Sequence, residues 1–408
     1  MKNRRYGLSL AIIYPHPITG SLGSFRRVKE ITAALSARVN IPIKIYSPYE
    51  RKEKHLTDSV LIKPVPSLIS MLGLSNTAYG LSKRLYYSRF LSKNMLERSV
   101  QFSKSILFSK MLKILKEDSI NVIQAEHDIS IPLALSLAER LRVPLVADIH
   151  NITSEELVAT GILKQGDKAY SNFQNSMIQW LSGVDLVCVV SKEMKEYIKT
   201  RYKVTENKIA LVPPGGRVLK NHTTKLQTNI AVFMGTVAHR EHVNLFMKSI
   251  PLVLERITSA KFYATERGED LKKVKGYCKR LRVPINWFWF EEENDLWSFL
   301  YRCKLGVLPS SNDVARILGT PIKLLDYLSA GLPVVANNIG GWSHIIEEEG
   351  VGLLTEDDPK DFAAAISTVF SDEDLFARMS SNALRAVEQK FSWEESVKPI
   401  VRFYENFA

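Results

Sequence analysis

The sequence predicts an α/β protein made of two Rossmann-like, doubly wound parallel sheets in tandem. Three observations carry this. Continuous apolar runs of strand length alternate with helix-period segments through nearly the whole chain, the pattern of parallel strands covered on both faces. The alternation stops once, in a polar stretch, and then begins afresh. At 408 residues the chain is too long for one ordinary core and suits two domains of about 200 residues each.

The first apolar run, 8–14, follows Lys2, Arg4 and Arg5 and imitates a secretory leader. Pro15, His16 and Pro17 end it early and no small-residue cleavage site follows, so it is read as a buried strand over 7–14. Further strands are predicted over 42–47, 121–126, 144–150, 184–191 and 208–213, with helices over 24–38, 129–141, 167–181 and 193–202. Crossovers between them should be right-handed. Ser191 is placed as the N-cap of the helix that follows it. Pro213, Pro214, Gly215 and Gly216 close this half as a rigid turn, and the polar stretch 220–228 follows. The boundary lies in 214–228, giving domains over 1–216 and 217–390. Strands of the second half are predicted over 229–236, 260–265, 284–290, 305–309, 333–337 and 351–354. The last segment, 391–408, carries Trp393, Val397, Ile400, Val401 and Tyr404 and predicts one amphipathic helix with no strand after it. Two such sheets in tandem place a ligand cleft between their carboxyl edges.

Composition narrows the function. The three cysteines, Cys188, Cys278 and Cys303, are far apart and show neither metal spacing nor a disulfide framework, which fits a reducing, cytoplasmic compartment. No segment reaches the roughly 20 apolar residues needed to span a bilayer. The net charge of +12 calls for a nucleic acid, an anionic membrane surface or a phosphorylated substrate. Much of it sits in 81–115, where Lys83, Arg84, Arg89, Lys93, Arg98, Lys104, Lys110 and Lys113 face only Glu97 and are interleaved with Leu85, Phe90, Met95, Phe102 and Ile106. That pattern is either a helix with a solvated basic face or a patch that lies on an anionic membrane. Nucleic acid is not expected, because no nucleic-acid-reading motif accompanies the charge.

The segment most informative about chemistry is 321–338. A helix runs into Ala330 and Gly331, where a C-cap needs positive φ, and Pro333 prevents it from resuming before the strand Val334-Val335-Ala336. Lys323 and Asp326 stand three apart on one helix face, a cation and a carboxylate suited to a phosphate and a diol. The loop after the first strand carries Gly20 and Gly23, whose amides can approach an anion or a sugar. It is not the dinucleotide fingerprint, and Tyr46-Ser47-Pro48 stands where a ribose-binding acid would end the second strand, which argues against a nicotinamide dehydrogenase. Arg26 and Arg27, just beyond, are candidates to grip an acceptor phosphate. Glu126, His127, Asp148 and His150 fall at the carboxyl ends of parallel strands, where such sheets bind ligands. In the second half Gly235 and Thr236 end the first strand, and Arg240, Arg316 and Lys323 flank Gly319 and Thr320. Three converging cations can bind a diphosphate without a metal. Trp287 and Trp289 belong either to the core or to a stacking surface.

Together these residues resemble the retaining glycosyltransferases of family 4, which have the GT-B fold. The resemblance covers nearly the whole chain and is strongest over 233–236, 305–310 and 321–341. It implies an NDP-sugar donor held mainly by the second domain, an acceptor held by the first, no metal, no cofactor beyond that co-substrate, and a terminal helix that returns to the first domain. By position, Asp326 falls where the family has a glutamate for the donor ribose. Leu318 stands where it has a second, sugar-contacting glutamate, a task left to the backbone of Gly319 and Thr320. Arg240 and Lys323 resemble the phosphate-binding cations. Glu126 and His127 lie about where the family has a strand-end histidine, and His150 matches one near the acceptor. The resemblance thus implies a catalytic set of Arg240, Lys323, Glu126, His127 and His150, and a donor-binding set of Gly20, Gly23, Gly235, Thr236, Arg316, Gly319, Thr320 and Asp326. It further implies a glycan or lipid-linked acceptor, with 81–115 on the cytoplasmic membrane face. A sugar-nucleotide epimerase of the same fold, which would turn over donor without acceptor, and a non-catalytic sugar-nucleotide-binding protein are the competing readings.

Overall fold

The computed structural model describes residues 8–16, 18, 23–39, 41–47, 50, 52–65, 107–218, 228–238 and 241–407. Among them the apolar runs become strands of two sheets in two units. One unit is Met1–Val212 with Val397–Ala408, the other Pro213–Ser396.

The first sheet has the order β3-β4-β2-β1-β5-β6-β7-β8. Its strands are β1 (Leu10–Ile13), β2 (Ile43–Ser47), β3 (Lys54–Thr57), β4 (Val60–Pro64), β5 (Val122–Glu126), β6 (Leu145–Ile149), β7 (Leu186–Val189) and β8 (Ile209–Leu211). From β1 the chain winds one way through β2 and β4 and the other way through β5 to β8, all in parallel pairs. β1, β5, β6 and β7 are buried along their whole length, so each run is apolar without alternation. The topological switch lies between β1 and β5, where Ile13 pairs with Ala125.

The sheet departs from the sequence reading at its edge. The hairpin β3–β4 is antiparallel and was not expected, so this sheet is mixed. Lys54–Thr57 is a short, polar, largely exposed edge strand and has no apolar run to announce it. The helix Thr153–Ala159 was also not foreseen. Its start is set by Asp128, 25 residues away, whose carboxylate accepts from Thr153 N (2.7 Å) and from its hydroxyl (2.6 Å).

The second sheet follows the Rossmann order, β11-β10-β9-β12-β13-β14, and every pair is parallel. Its strands are β9 (Ile230–Phe233), β10 (Lys261–Thr265), β11 (Asn286–Phe288), β12 (Leu305–Leu308), β13 (Val334–Asn337) and β14 (Gly352–Thr355). Alternate residues feed two cores. Ala231, Phe233, Leu305, Val307 and Val335 join one cluster, while Ile230, Val232, Leu308, Val334 and Ala336 join the other. The helix Ile322–Ser329 ends as its sequence requires: Gly331 takes φ 62 and Leu332 N returns to Tyr327 O at 2.8 Å.

The single terminal helix over 391–408 is corrected to two, Trp393–Ser396 and Lys398–Glu405. Pro399 lacks an N–H and is accommodated in the first turn of the second helix. The break coincides with the exchange between units. Gly216 N donates to Phe391 O (2.6 Å), and a Cβ on Gly215 would lie 2.5 Å from Trp393 N, so 213–216 and 391–396 stay together. The units therefore change hands at 212/213 and 396/397, where the sequence reading placed the limits at 216/217 and 390/391. Within the first unit Tyr404, fully buried, donates its hydroxyl to Gln124 Oε1 at 2.7 Å.

Candidate functional site

In the Pro213–Ser396 unit the switch point lies between β9 and β12, and the turn after β9 is built from side chains of two other elements, β10 and the helix Ile322–Ser329. Met234 N donates to the Tyr327 hydroxyl (2.6 Å), which donates to Val232 O (3.1 Å). Gly235 N donates to Thr265 Oγ1 (3.1 Å), and that hydroxyl donates to Phe233 O (3.1 Å). Gly235 takes φ 139, and a Cβ there would lie 2.6 Å from Lys323 Nζ. No side chain can stand at this position while Lys323 occupies its place. The ammonium also lies 4.9 Å from the Phe233 ring centroid.

Lys323 and Arg316 converge here, and what they converge on is the carboxylate of Glu241, with one oxygen taken by each. Arg316 sits on the short helix Val314–Leu318, whose N-cap Asp313 accepts from Arg316 N at 3.1 Å. After β12 and β13, the side chain of Asn337 accepts from Ser310 N and donates to Ser310 O, both at 2.8 Å, which ties the two strand-end loops together. The result is a rim of the sheet with two cations, one carboxylate between them and the side-chain-free turn at Gly235 alongside. An anion with several oxygens can take the place of that carboxylate, and charge forming on it is met by groups already in position.

The second-unit residues read from sequence divide as follows. Gly235, Arg316 and Lys323 are brought together. Thr236 is exposed, Thr320 is half-buried, and Gly319 extends the chain out of the short helix. Asp326 is 5 % exposed. Leu318 is buried in the apolar interior. Arg240 lies outside the described residues, so of the three expected cations two are described, and both are paired with Glu241. Trp287 packs against the core, whereas Trp289 is 40 % exposed with the Arg267 guanidinium 4.9 Å from its ring centroid.

In the other unit the carboxyl ends of β1, β5 and β6 gather Glu126, His127 and His150, together with His16. Glu126 is fully buried. Gln124 Nε2 donates to its Oε1 (2.6 Å), and its Oε2 has no hydrogen-bond partner among the described residues and lies 3.5 Å from His150 Nε2. Burial, and after it the charge of Asp148, holds the Glu126 carboxyl well above the usual range. Burial likewise pushes His150 down to about 4 and, with His150 beside it, holds His127 well below its ordinary value. Burial thus disfavours the charged forms of Glu126, His127 and His150, which suits the cluster to hydroxyls rather than to a bare anion. Gly23 opens the helix Gly23–Val39, and Gly20 lies outside the described residues.

Arg27 is corrected outright. It is 2 % exposed and holds Asp148 with two hydrogen bonds (3.0 and 2.9 Å), and it donates a third to Val212 O (2.8 Å). It is a buried strut between a helix and two strand ends, not a grip on a phosphate. Sequence reasoning also gave no role to Glu241, Tyr327, Thr265, Asn337, His16 or Asn151. Glu241 and His16 stood next to residues that were singled out, but their partners are set by crossovers that no local pattern records.

Two doubly wound, Rossmann-like sheets in tandem are the architecture of the GT-B glycosyltransferases. The chain matches the family model for Glycosyl transferases group 1 over residues 218–386 and that for Glycosyltransferase Family 4 over residues 82–216, one model for each half. It belongs to this glycosyltransferase family. It is similar to an uncharacterized glycosyltransferase of Methanocaldococcus jannaschii, with 24% identity over 72% of this chain and 77% of the relative. It is also similar to the lipopolysaccharide glucosyltransferase WaaG of Escherichia coli, with 20% identity over 56% of this chain and 60% of the relative. Among solved structures it shares the fold of Anabaena HepE in complex with UDP-glucose, with TM-score 0.69, 14% identity, and 98% of this chain and 100% of that one covered. No helix among the described residues is long and apolar enough to cross a membrane.

Proposed function

We propose that this glycosyltransferase takes a sugar from a nucleoside-diphosphate donor held by the Pro213–Ser396 unit and passes it, with retention and without a metal, to a hydroxyl of a glycan or lipid-linked acceptor held by the other unit. The observation that carries the reading is the convergence of Arg316 and Lys323 on one carboxylate beside Gly235. As the glycosidic bond breaks, negative charge grows on the departing diphosphate. Cations fixed beforehand lower that barrier more than they stabilise the bound donor. Arg316, Lys323 and Arg240 supply positive charge where a metal would otherwise be required, and Asp326 serves the donor ribose. The acceptor hydroxyl attacks from the face that the leaving group vacates, with no protein nucleophile, and lies against Glu126, His127 and His150. The neighbours support the substrate class: HepE was solved with UDP-glucose, and an Escherichia coli relative is named as a galactosyltransferase acting on an α-D-GlcNAc-diphosphoundecaprenol.

A thermal-shift screen against a set of sugar nucleotides tests this. The correct donor should raise Tm by mass action, and a screen in which no sugar nucleotide raises it would sink the reading.

A lipid-linked acceptor also gives a use to 81–115, of which 81–106 lie outside the described residues and 107–115 are helical. The protein is expected to sediment with anionic liposomes at the expense of the supernatant and to be released by salt. Equal recovery in the supernatant with and without such liposomes would remove the membrane from the proposal.

A further inference from the structure

We propose that Asn151 is a positioning residue that holds His127 in the Nδ1–H tautomer, so that the bare Nε2 is offered as a hydrogen-bond acceptor to a hydroxyl of the acceptor substrate. The inference rests on the reading that the first unit binds the acceptor.

Asn151 Oδ1 lies 2.6 Å from His127 Nδ1. A carbonyl oxygen can only accept, so Nδ1 carries the proton. A neutral imidazole has one such proton, which leaves Nε2 as a lone pair. That Nε2 is buried and has no hydrogen-bond partner among the described residues, with His127 only 6 % exposed. A buried acceptor left unmet is costly, and proteins keep one where a ligand will meet it.

The backbone gives an independent reason. His127 stands at φ 64 and ψ 154, a region that is essentially restricted to glycine. It is held there on both sides. His127 N donates to Asp148 O (3.1 Å), while its carbonyl accepts from Ser130 N (3.2 Å) and from the Ser130 hydroxyl (2.9 Å). The strained turn points the ring between two others, with His150 at 4.0 Å and His16 at 4.5 Å between centroids. Flipping the ring would exchange the nitrogen that meets Asn151 and break that bond. The groups that set the local field are Glu126 and Asp148 from β5 and β6, His150 after β6, His16 after β1 and Arg27 from the helix Gly23–Val39. Burial among them keeps the imidazole neutral, so the lone pair persists at physiological pH.

Imidazole 15N NMR on the full chain, with the His127 signals identified by their loss in His127→Gln, reads the tautomer without any substrate. Wild type should show a protonated Nδ1 and a bare Nε2. Asn151→Leu should move the proton toward Nε2 and lower acceptor kcat/KM by about tenfold or more, while donor KM stays level. Asn151→Asp, an obligate acceptor, should restore the tautomer, recover most of that loss and raise the pH at which the acidic limb falls. A wild-type spectrum with Nε2 protonated overturns the proposal, and so does an Asn151→Leu variant whose tautomer shifts while its acceptor kinetics do not. Should Asn151→Leu fail to fold, the wild-type spectrum and Asn151→Asp decide between the same outcomes. Failure of the underlying reading looks different: His127→Gln and His150→Gln would then leave acceptor KM untouched.

Discussion

Lys323→Ala should lower turnover by more than about tenfold, with little change in acceptor KM. Its ammonium is held by the Phe233 ring and by Glu241, beside the one residue in the turn that could not carry a side chain. The position is set before substrate arrives, so the charge costs no reorganisation when the diphosphate departs. Glu241 keeps Arg316 as a partner in the variant, so no carboxylate is left buried alone and folding should be close to normal. A loss of kcat at unaltered Tm is therefore the signature. Activity equal to wild type would remove Lys323 from the leaving-group role and leave the proposed mechanism without its central cation.

Arg27→Met should destabilise the first unit by about 3–5 kcal/mol, which for a unit of this size is a fall in Tm of roughly 10 °C. The pair it breaks is fully internal: Arg27 is 2 % and Asp148 0 % exposed. Removing the guanidinium strands a carboxylate beside the buried Glu126 and leaves Val212 O without that donor. The double variant Arg27→Met, Asp148→Leu should regain much of the loss, because a buried pair replaced by apolar groups is often neutral. If the single variant melts within a degree or two of wild type, the strut reading of Arg27 is wrong and its sequence assignment to a phosphate returns.

The separation between Arg27 and its partner shows where sequence reading stops. The apolar runs of β5, β6, β9, β12 and β13 are legible because both faces of each are buried, so no alternation interrupts them. The cap at Ser191, whose hydroxyl accepts from Met194 N at 2.9 Å, and the stop at Gly331 are legible because caps obey rules local to one turn. The hairpin Lys54–Thr57 with Val60–Pro64 was not, since a polar edge strand carries no signal of burial. Gly235 and Lys323 were singled out on residue type and spacing. That they lie against each other, and that a carboxylate joins Lys323 to Arg316, was not visible.

Sequence alone determined the tandem α/β architecture, the places where strands end in ionisable residues and the helix that presents Lys323. Tertiary structure alone decided which charges meet. Arg316 and Lys323 reach Glu241 across 75 and 82 residues, Arg27 reaches Asp148 across 121, and Tyr404 reaches Gln124 across 280. The division has a physical cause. Secondary structure follows from periodicity within a few residues, whereas the partner of a buried charge is fixed by which strand ends the crossovers bring level, and desolvation then penalises every charge left without one.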